Sequence, residues 1–199
     1  MRNGVGGCDF PARPDLSALS QTVLWTPSAN PAVVTLVAAP HFLSTTRPPP
    51  LEGSSVYRES PEGRHALHDG PAATQFILRP GAKPGGVVAA LIPLDADALG
   101  RIEALTRFWR SWQRQTIPAD TRITPQRRAR LRLMLRAADG RRSAASYREI
   151  ARSIYGEPRV ASEPWKTSAL RDTVIGLVKG GSSMIAGGYL QLLRHRRRP

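Results

Sequence analysis

The chain has 199 residues, a formal net charge of +14 and one cysteine, a size that fits one domain, or a small domain with an accessory one. A single cysteine excludes an internal disulfide and a cysteine-based metal cluster. The longest apolar run, residues 32–39, is too short to cross a bilayer.

The positive charge lies entirely in the C-terminal half. Residues 1–100 carry 7 Lys+Arg against 8 Asp+Glu, a net charge of −1, whereas residues 101–199 carry 22 against 7, a net charge of +15. Only Lys83, Lys166 and Lys179 are lysine. Arginine presents a planar fork of donors that matches phosphate oxygens and the guanine edge. The pattern predicts that the C-terminal half binds a polyanion.

The N-terminal half is predicted to form a small sheet. Residues 1–20 are rich in Gly and Pro and predict a flexible arm without the apolar segment of a signal peptide, so we expect a cytoplasmic protein with no membrane partner. Residues 41–64 predict a long loop or disordered insert. The β-branched, apolar runs predict four strands in a small α+β domain over residues 21–118: Thr22–Trp25, Ala32–Ala39, Thr74–Leu78 and Val87–Ile92.

A helix is predicted to begin after Pro93 and to end before Pro118, with Asp95 or Asp97 as its N-cap. The 3.6-residue period places four apolar side chains on one face of this helix. These residues, which we expect to face the core, are Leu99, Ile102, Leu105 and Trp109.

The pair Thr124-Pro125 predicts the start of a second helix, because a cap residue is followed by proline at the first helical position. Gly140 is expected to end it. Leu131, Met134, Leu135 and Ala138 are predicted to face inward. Arginines recur at i, i+4 and i+8 on another face of this helix, at Arg128, Arg132 and Arg136.

Two further helices are predicted. The sequence Ser146-Tyr147-Arg148-Glu149 fits a capping box, and the helix it begins carries Ile150 and Ile154 inward and ends at Gly156. The next covers Pro164–Lys179 and ends at Gly180-Gly181. Its predicted buried stripe is Leu170, Val174, Leu177 and Val178, and its predicted solvent-facing residues are Lys166, Thr167, Ser168, Arg171 and Asp172.

Three short helices in this order indicate a helix-turn-helix, in which two helices support a third that enters the major groove. Residues 119–199 are therefore the predicted DNA-binding domain. Residues 183–193 fit either a tight hairpin at Gly187-Gly188, which would act as a wing, or a last helical turn. The predicted fold class is α+β, with a small N-terminal sheet and a helix-turn-helix-like C-terminal domain.

Several segments of this half carry a family resemblance. The blocks SYREIA, WKTSALRD and GGY occur in order within LRLMLRAADGRRSAASYREIARSIYGEPRV, EPWKTSALRDTVIGLVKGG and MIAGGYLQLLR. Together they resemble the DNA-binding domain family named for the type VI secretion transcription factor RovC. Upstream, VVTLVAAP and LIPLDADAL look like its N-terminal part, so the resemblance covers about residues 22–195. It implies DNA binding and transcriptional regulation.

The candidate DNA contacts follow from the charge pattern and the proposed recognition helix. Lys166 and Arg171 are the best candidates for base or phosphate contacts, and the arginine-rich tail is expected to act as a flexible electrostatic arm. The full set is Lys166, Thr167, Ser168, Arg171, Arg148, Arg128, Arg132, Arg136, Arg196 and Arg197. The expected partner is double-stranded DNA, with the protein itself or another regulator as further candidates.

No catalytic site is predicted. The four histidines, His41, His65, His68 and His195, lack metal-ligand spacing, and residues 81–86 lack the Lys-Ser/Thr of a phosphate loop. Asp95 and Asp97 read as helix caps. We therefore expect no enzyme, no metal and no cofactor. The alternative to a regulator is an antagonist that uses the same fold to bind another regulator.

Overall fold

A computed structural model describes residues 20, 22–43, 51, 57–69, 73–118, 120 and 122–194. The described residues divide into two compact units. The sheet unit runs up to Asp120 and includes Leu193 and Arg194, and the helical unit follows Asp120 and ends at Leu192. The chain is therefore a mixed α and β protein, as the sequence predicts.

The sheet unit contains five strands and one long helix. The strands are β1 (Val34–Ala38), β2 (Tyr57–Ser60), β3 (Gly63–His68), β4 (Thr74–Leu78) and β5 (Val88–Ala90). They lie in the order β2-β3-β4-β1-β5. β1 and β4 are parallel, and the other neighbouring pairs are antiparallel. β4 has the predicted bounds, and β1 and β5 lie within the predicted segments.

The loop predicted over residues 41–64 is wrong for its last part, where β2 and the start of β3 form a hairpin with a two-residue turn. The edge strand β2 is largely exposed and has no apolar alternation, so it lacks the pattern of a half-buried strand. Gly63 has a φ of +138°, and a Cβ there would lie 2.1 Å from the Leu78 carbonyl oxygen. Residues 44–50 and 52–56 lie outside the described residues.

The strand predicted at Thr22–Trp25 is also wrong, because only Trp25 forms a bridge. Its backbone is held instead by the buried amide side chain of Gln75. The Gln75 Nε2 donates to the Trp25 carbonyl at 2.7 Å, and its Oε1 accepts from the Trp25 N–H at 2.9 Å. The predicted arm lies outside the described residues except for Ser20.

Helix α1 spans Ala98–Trp112, with Asp97 at the N-cap position. Asp97 makes no side-chain cap and lies 3.3 Å from Arg194 Nη1 instead. Asp95 organises the helix start by accepting from Arg101 and from the Asp97 N–H. The hydrogen bond from Arg101, with the Asp97 N–H as the next contribution, holds the pKa of Asp95 below its usual value.

The predicted inward face of α1 is largely wrong. Leu99 and Trp109 are 82% and 47% exposed, and Ile102 is exposed as well. The face that packs on the sheet carries Phe108 with the small residues Ala104 and Ser111, and only Leu105 of the predicted set joins that core. Small side chains let the helix lie close to the sheet, and the close packing of this face determines the orientation of the helix more than the spacing of its apolar residues does.

Buried aromatic and polar groups join α1 to the sheet. The Phe108 ring lies 5.7 Å from the Phe76 ring and 5.6 Å from the His68 ring, measured between centroids. Ser111 Oγ and His68 Nδ1 are 3.2 Å apart and share a hydrogen bond. Burial lowers the pKa of His68, and the neighbouring Asp69 partly opposes that shift.

The helical unit consists of α2 (Pro125–Arg142), α3 (Tyr147–Tyr155), α4 (Glu157–Ala161), a 3-10 helix at Trp165–Thr167, α5 (Ala169–Ile185) and a 3-10 helix at Gly188–Leu192. The short helix α4 has no counterpart among the predicted elements. The four apolar residues predicted to form the buried stripe of α5 are all in the core. That core consists of Ala137, Ile150, Ala151, Val160, Leu170, Val174, Leu177 and Val178.

Three details of this half differ from the predictions. Gly140 and Gly180-Gly181 do not end helices but lie inside α2 and α5. Leu135 is exposed, whereas Ala137 is buried together with the predicted Ala138. The described residues 183–193 form no hairpin or wing; the last helical turn, the other predicted alternative, is present as the second 3-10 helix.

The two faces of α1 should differ sharply in their contribution to stability. Phe108→Ala should lower the free energy of unfolding of the sheet unit by about 3–5 kcal/mol, because it leaves a cavity under the helix. Leu99→Ala should change that free energy by less than about 0.5 kcal/mol, because its side chain is exposed. Urea unfolding followed by circular dichroism measures both. A larger loss for Leu99→Ala than for Phe108→Ala would contradict the observed helix orientation.

Candidate nucleic-acid interface

Helix α2 is the most basic element of the described chain. Thr124 caps it, with its Oγ1 accepting from the Arg127 N–H at 3.2 Å, and Pro125 occupies the first helical position, as predicted. The helix carries seven arginines in 18 residues and one carboxylate, Asp139. Its charge is therefore not balanced within the helix.

The predicted arginine stripe of α2 is exposed. Arg128, Arg132 and Arg136 lie one turn apart on the side opposite the buried Ala137 and Ala138. Arg136 Nη2 donates to the Ser153 carbonyl at 2.9 Å. That carbonyl is among the last four of α3, which have no partner within their own helix. Arg136 therefore stabilises the end of α3 as well as contributing charge.

Helix α3 begins with the predicted capping box. The Ser146 Oγ accepts from the Glu149 N–H at 3.3 Å, and a Glu149 carboxylate oxygen accepts from the Ser146 N–H at 2.7 Å. The hydrogen bonds from the Ser146 side chain and backbone lower the pKa of Glu149. Arg148 is the second residue after the Ser146 cap and is exposed. The cap thus fixes the backbone from which the Arg148 side chain extends.

The 3-10 helix before α5 places two of the candidate contacts. Trp165 is half-buried and packs against the core of the helical unit, whereas Lys166 and Thr167 are exposed. Ser168 was predicted to face solvent, and this is wrong: it is 3% exposed, and its Oγ accepts from the Leu170 N–H at 3.0 Å. The side chain of Ser168 caps α5.

The first turns of α5 carry a half-exposed arginine. Arg171 Nη1 lies 3.7 Å from Asp172, and both side chains are solvated, so their ion pair adds little stability. The Thr173 hydroxyl donates to the Ala169 carbonyl at 2.9 Å. Further along the solvent side of α5 lie the exposed Gly176 and Lys179.

The position of α5 depends on a close approach to α2. A Cβ on Gly180 would lie 2.6 Å from the Met134 Cε, and a Cβ on Gly181 would lie 2.4 Å from the Met134 carbonyl oxygen and 2.9 Å from the Ala138 Cβ. Gly140 plays a similar part beside Ile150, at 2.9 Å. Gly181 lets the backbones of α5 and α2 come nearly into contact, whereas Gly180 and Gly140 leave room for the side chains of Met134 and Ile150.

Most cations of the helical unit lack a counter-charge. Arg152 pairs with Glu157, and Arg141 and Arg159 lie over the rings of Tyr147 and Tyr155. Eight further basic side chains make neither hydrogen bonds nor ion pairs to any residue that the structure describes, and all but the half-buried Arg127 are exposed. They are Arg127, Arg128, Arg130, Arg132, Arg142, Arg148, Lys166 and Lys179.

The candidate contacts thus lie on different helices of the helical unit. Arg148, Lys166 and Arg171 lie at or near the N-terminal ends of α3 and α5, and the α2 stripe lies opposite the core. Sequence reasoning did not select Arg127, Arg130, Arg142 or Lys179. Arg127, Arg130 and Arg142 could have been selected from their position on α2, because they add to the excess positive charge of that helix. Arg196 and Arg197 lie outside the described residues.

Other kinds of site have little support in the described part of the chain. None of its residues forms a group of three or more His, Cys, Asp or Glu side chains able to hold a metal ion. None of its helices is long and apolar enough to cross a membrane.

A comparison with known families gives a match over about half of the chain. The sequence model of a family described as "T6SS, Transcription factor, DNA binding domain" (RovC; T6SS denotes type VI secretion) matches residues 91–194. This range contains α1 and the whole helical unit. The segment VVTLVAAP precedes the matched range, so its resemblance to the family stays a prediction from the sequence. Among curated proteins, none matches the chain significantly.

Two glycines of α5 offer a test of how this helix is positioned. Gly181→Ala should destabilise the helical unit by about 1–3 kcal/mol, because the new methyl group would overlap α2. Gly176→Ala, on the open side of the same helix, should stabilise it by about 0.5–1 kcal/mol through helix propensity. Thermal unfolding of the full chain measures both. Equal effects would show that α5 does not pack on α2 at Gly181.

Proposed function

The chain belongs to this family of DNA-binding domains of type VI secretion transcription factors, and from that membership we propose that it is a bacterial transcription regulator. The family match over residues 91–194 carries the proposal. We further propose that the predicted DNA-binding domain, residues 119–199, does the binding and that the protein acts at the nucleoid. The family description is that of a DNA-binding domain, not of an enzyme.

The helical unit is suited to a helix-turn-helix mode of binding, with α3 as a supporting helix and α5 as the recognition helix. In this mode Lys166 and Thr167 would reach base edges or phosphates just before α5, and Arg171 would do so from its first turn. Arg148, after the α3 cap, would contact the phosphate backbone. Ser168 is omitted from these contacts because its oxygen caps α5.

Electrostatics supports the same proposal. From residue 122 to 192 the helical unit carries 14 Lys+Arg against 5 Asp+Glu, a net charge of +9. Eight of those cations lack a partner among the described residues. DNA phosphates would supply the missing counter-charge, with release of the counterions condensed on the duplex.

The other hypothesis, an antagonist that binds another regulator, has no supporting observation in the described residues. Pairing between protomers also stays a prediction from the sequence.

Binding should depend steeply on salt. If the protein neutralises Z phosphates, the logarithm of the binding constant falls with the logarithm of salt concentration at a slope near −0.9Z, and we expect Z of about 4–8. Fluorescence anisotropy with a labelled duplex over a salt series measures the slope. A nearly salt-independent affinity would rule out the proposed mode of binding.

Two groups of cations should affect sequence discrimination differently. On a duplex selected from a random library, Lys166→Ala or Arg171→Ala should cost about 1–3 kcal/mol and reduce the preference over a scrambled duplex. Arg128→Ala or Arg132→Ala should leave that preference unchanged, because a phosphate contact carries no sequence information. Competition binding measures the ratio for each variant. If all four variants change it alike, α5 is not the recognition helix.

A further inference from the structure

The side of α1 that faces away from the sheet carries exposed apolar residues. Leu99, Ile102 and Trp109 are 82%, 45% and 47% exposed. At about 100° per residue, they lie about 140°, 160° and 140° around the helix from Ala104, the middle of the buried face. A single exposed apolar residue needs no explanation, but a contiguous apolar patch marks a surface that binds a partner.

The side chains of this face are held in place by the fold. The Trp109 ring meets the Trp112 ring edge to face, with 5.5 Å between centroids, and Trp112 packs in turn on the buried Phe108 at 5.7 Å. An aromatic side chain that is already fixed loses little entropy when a partner covers it. Thr106 lies on the same face, and its hydroxyl donates to the Ile102 carbonyl at 2.9 Å. Its one donor is therefore used within the helix.

Two opposite charges border this face along one edge. Glu103 and Arg110 are half-buried and stand three residues before and four residues after Thr106. The Arg110 guanidinium makes neither a hydrogen bond nor an ion pair to another described residue. In a symmetric pair of protein chains, residue i of each chain contacts residue j of the other. Opposite charges placed almost evenly about one residue therefore complement a second copy of the same helix.

The charges favour an antiparallel pair over a parallel one. In an antiparallel pair that crosses at Thr106, Glu103 of each copy lies beside Arg110 of the other, and Ile102 lies beside Trp109. Both contacts are level to within about one residue, or 1.5 Å along the axis. In a parallel pair each charge would meet its own copy, and facing like charges cost free energy.

We propose that the outer face of α1 is a dimerisation surface, on which α1 of a second copy packs antiparallel. Ile102 and Trp109 form the apolar part of the interface, and Glu103 and Arg110 form an ion pair with the second copy along its edge. A dimer carries two helical units, as a regulator that reads two half-sites needs. This consequence for DNA rests on the proposed function, whereas the pairing of α1 does not.

Sedimentation equilibrium of the full chain without DNA tests the pairing. Over a range of about 1–200 μM the wild-type protein should approach the mass of two chains, with a dissociation constant in the micromolar range. One helix face is small beside the roughly 1,200–2,000 Å² of a standard interface, so a tighter dimer is not expected. Ile102→Glu should raise the dissociation constant at least about tenfold, because it buries a charge beside an aromatic ring.

A matched control and a charge exchange accompany this variant. Leu135→Glu changes an apolar residue of α2 that is 50% exposed and should leave the dissociation constant unchanged. Glu103→Arg or Arg110→Glu alone should each raise it at least about fivefold, because like charges then face each other. The double variant Glu103→Arg with Arg110→Glu should return it to within about twofold of the wild type, because each opposite charge again has its partner. Circular dichroism and a thermal unfolding scan show that each variant is folded.

Three results would overturn the dimer proposal. The first is a wild-type chain that stays monomeric at every concentration. The second is a folded Ile102→Glu variant that pairs as tightly as the wild type, because pairing would then use another surface. The third is a double charge variant as weak as the single ones, because Glu103 and Arg110 would then not meet. None of these measurements contains DNA, so a failed dimer leaves the proposed function standing, and a dimer that binds no DNA contradicts the proposed function alone.

Discussion

The close approach of α2 and α5 is the constraint on which the helical unit depends. At Gly181 a single added methyl group would lie 2.4 Å from a backbone oxygen of α2, well inside van der Waals contact. Because the two helices are this close, the buried stripe of α5 fills the core with small and medium side chains. The packing also fixes which residues remain outside: Lys166 and Thr167 before α5, and the exposed arginines of α2.

The distribution of charge complements this packing. In the sheet unit, Arg64, Arg79 and Arg101 each lie beside a carboxylate. In the helical unit, arginines repeat one turn apart on α2 without carboxylates between them, an arrangement that weakens an isolated helix by a few tenths of a kcal/mol per pair. The core offsets that cost. A surface that keeps such unbalanced charge is suited to an anionic ligand, in agreement with the family to which the chain belongs.

The sequence predicts correctly those features that depend on a few neighbouring residues, such as helix starts and the buried face of a helix. The Thr124-Pro125 start, the Ser146–Glu149 capping box and the buried stripe of α5 are all present. The prediction that Gly140 and Gly180-Gly181 end helices is wrong. Glycine is common at helix ends, but it also occurs within helices where another helix packs closely. Gly140 and Gly181 serve the second role, which depends on a partner helix that sequence period does not reveal.

The same limit explains the remaining differences. On α1 the spacing of apolar residues predicts that Leu99 and Trp109 face the core. The face that packs on the sheet is instead the one with Ala104 and Ser111, whose small side chains allow closer packing. At the candidate interface, the exposure of Lys166 could be predicted from its place on the polar side of the helix expected over Pro164–Lys179. The burial of Ser168 could not, because Trp165 anchors the turn in the core and directs the next side chains.

We propose that the helical unit, through the start of α5, binds double-stranded DNA. Hydrogen–deuterium exchange of the full chain, with and without a duplex of about 30 base pairs, tests it most directly. We expect slower exchange at residues 164–173 and at the start of α3, and little change in strands β1 to β5. Protection confined to the sheet unit, with residues 164–173 unchanged by saturating DNA, would contradict the claim.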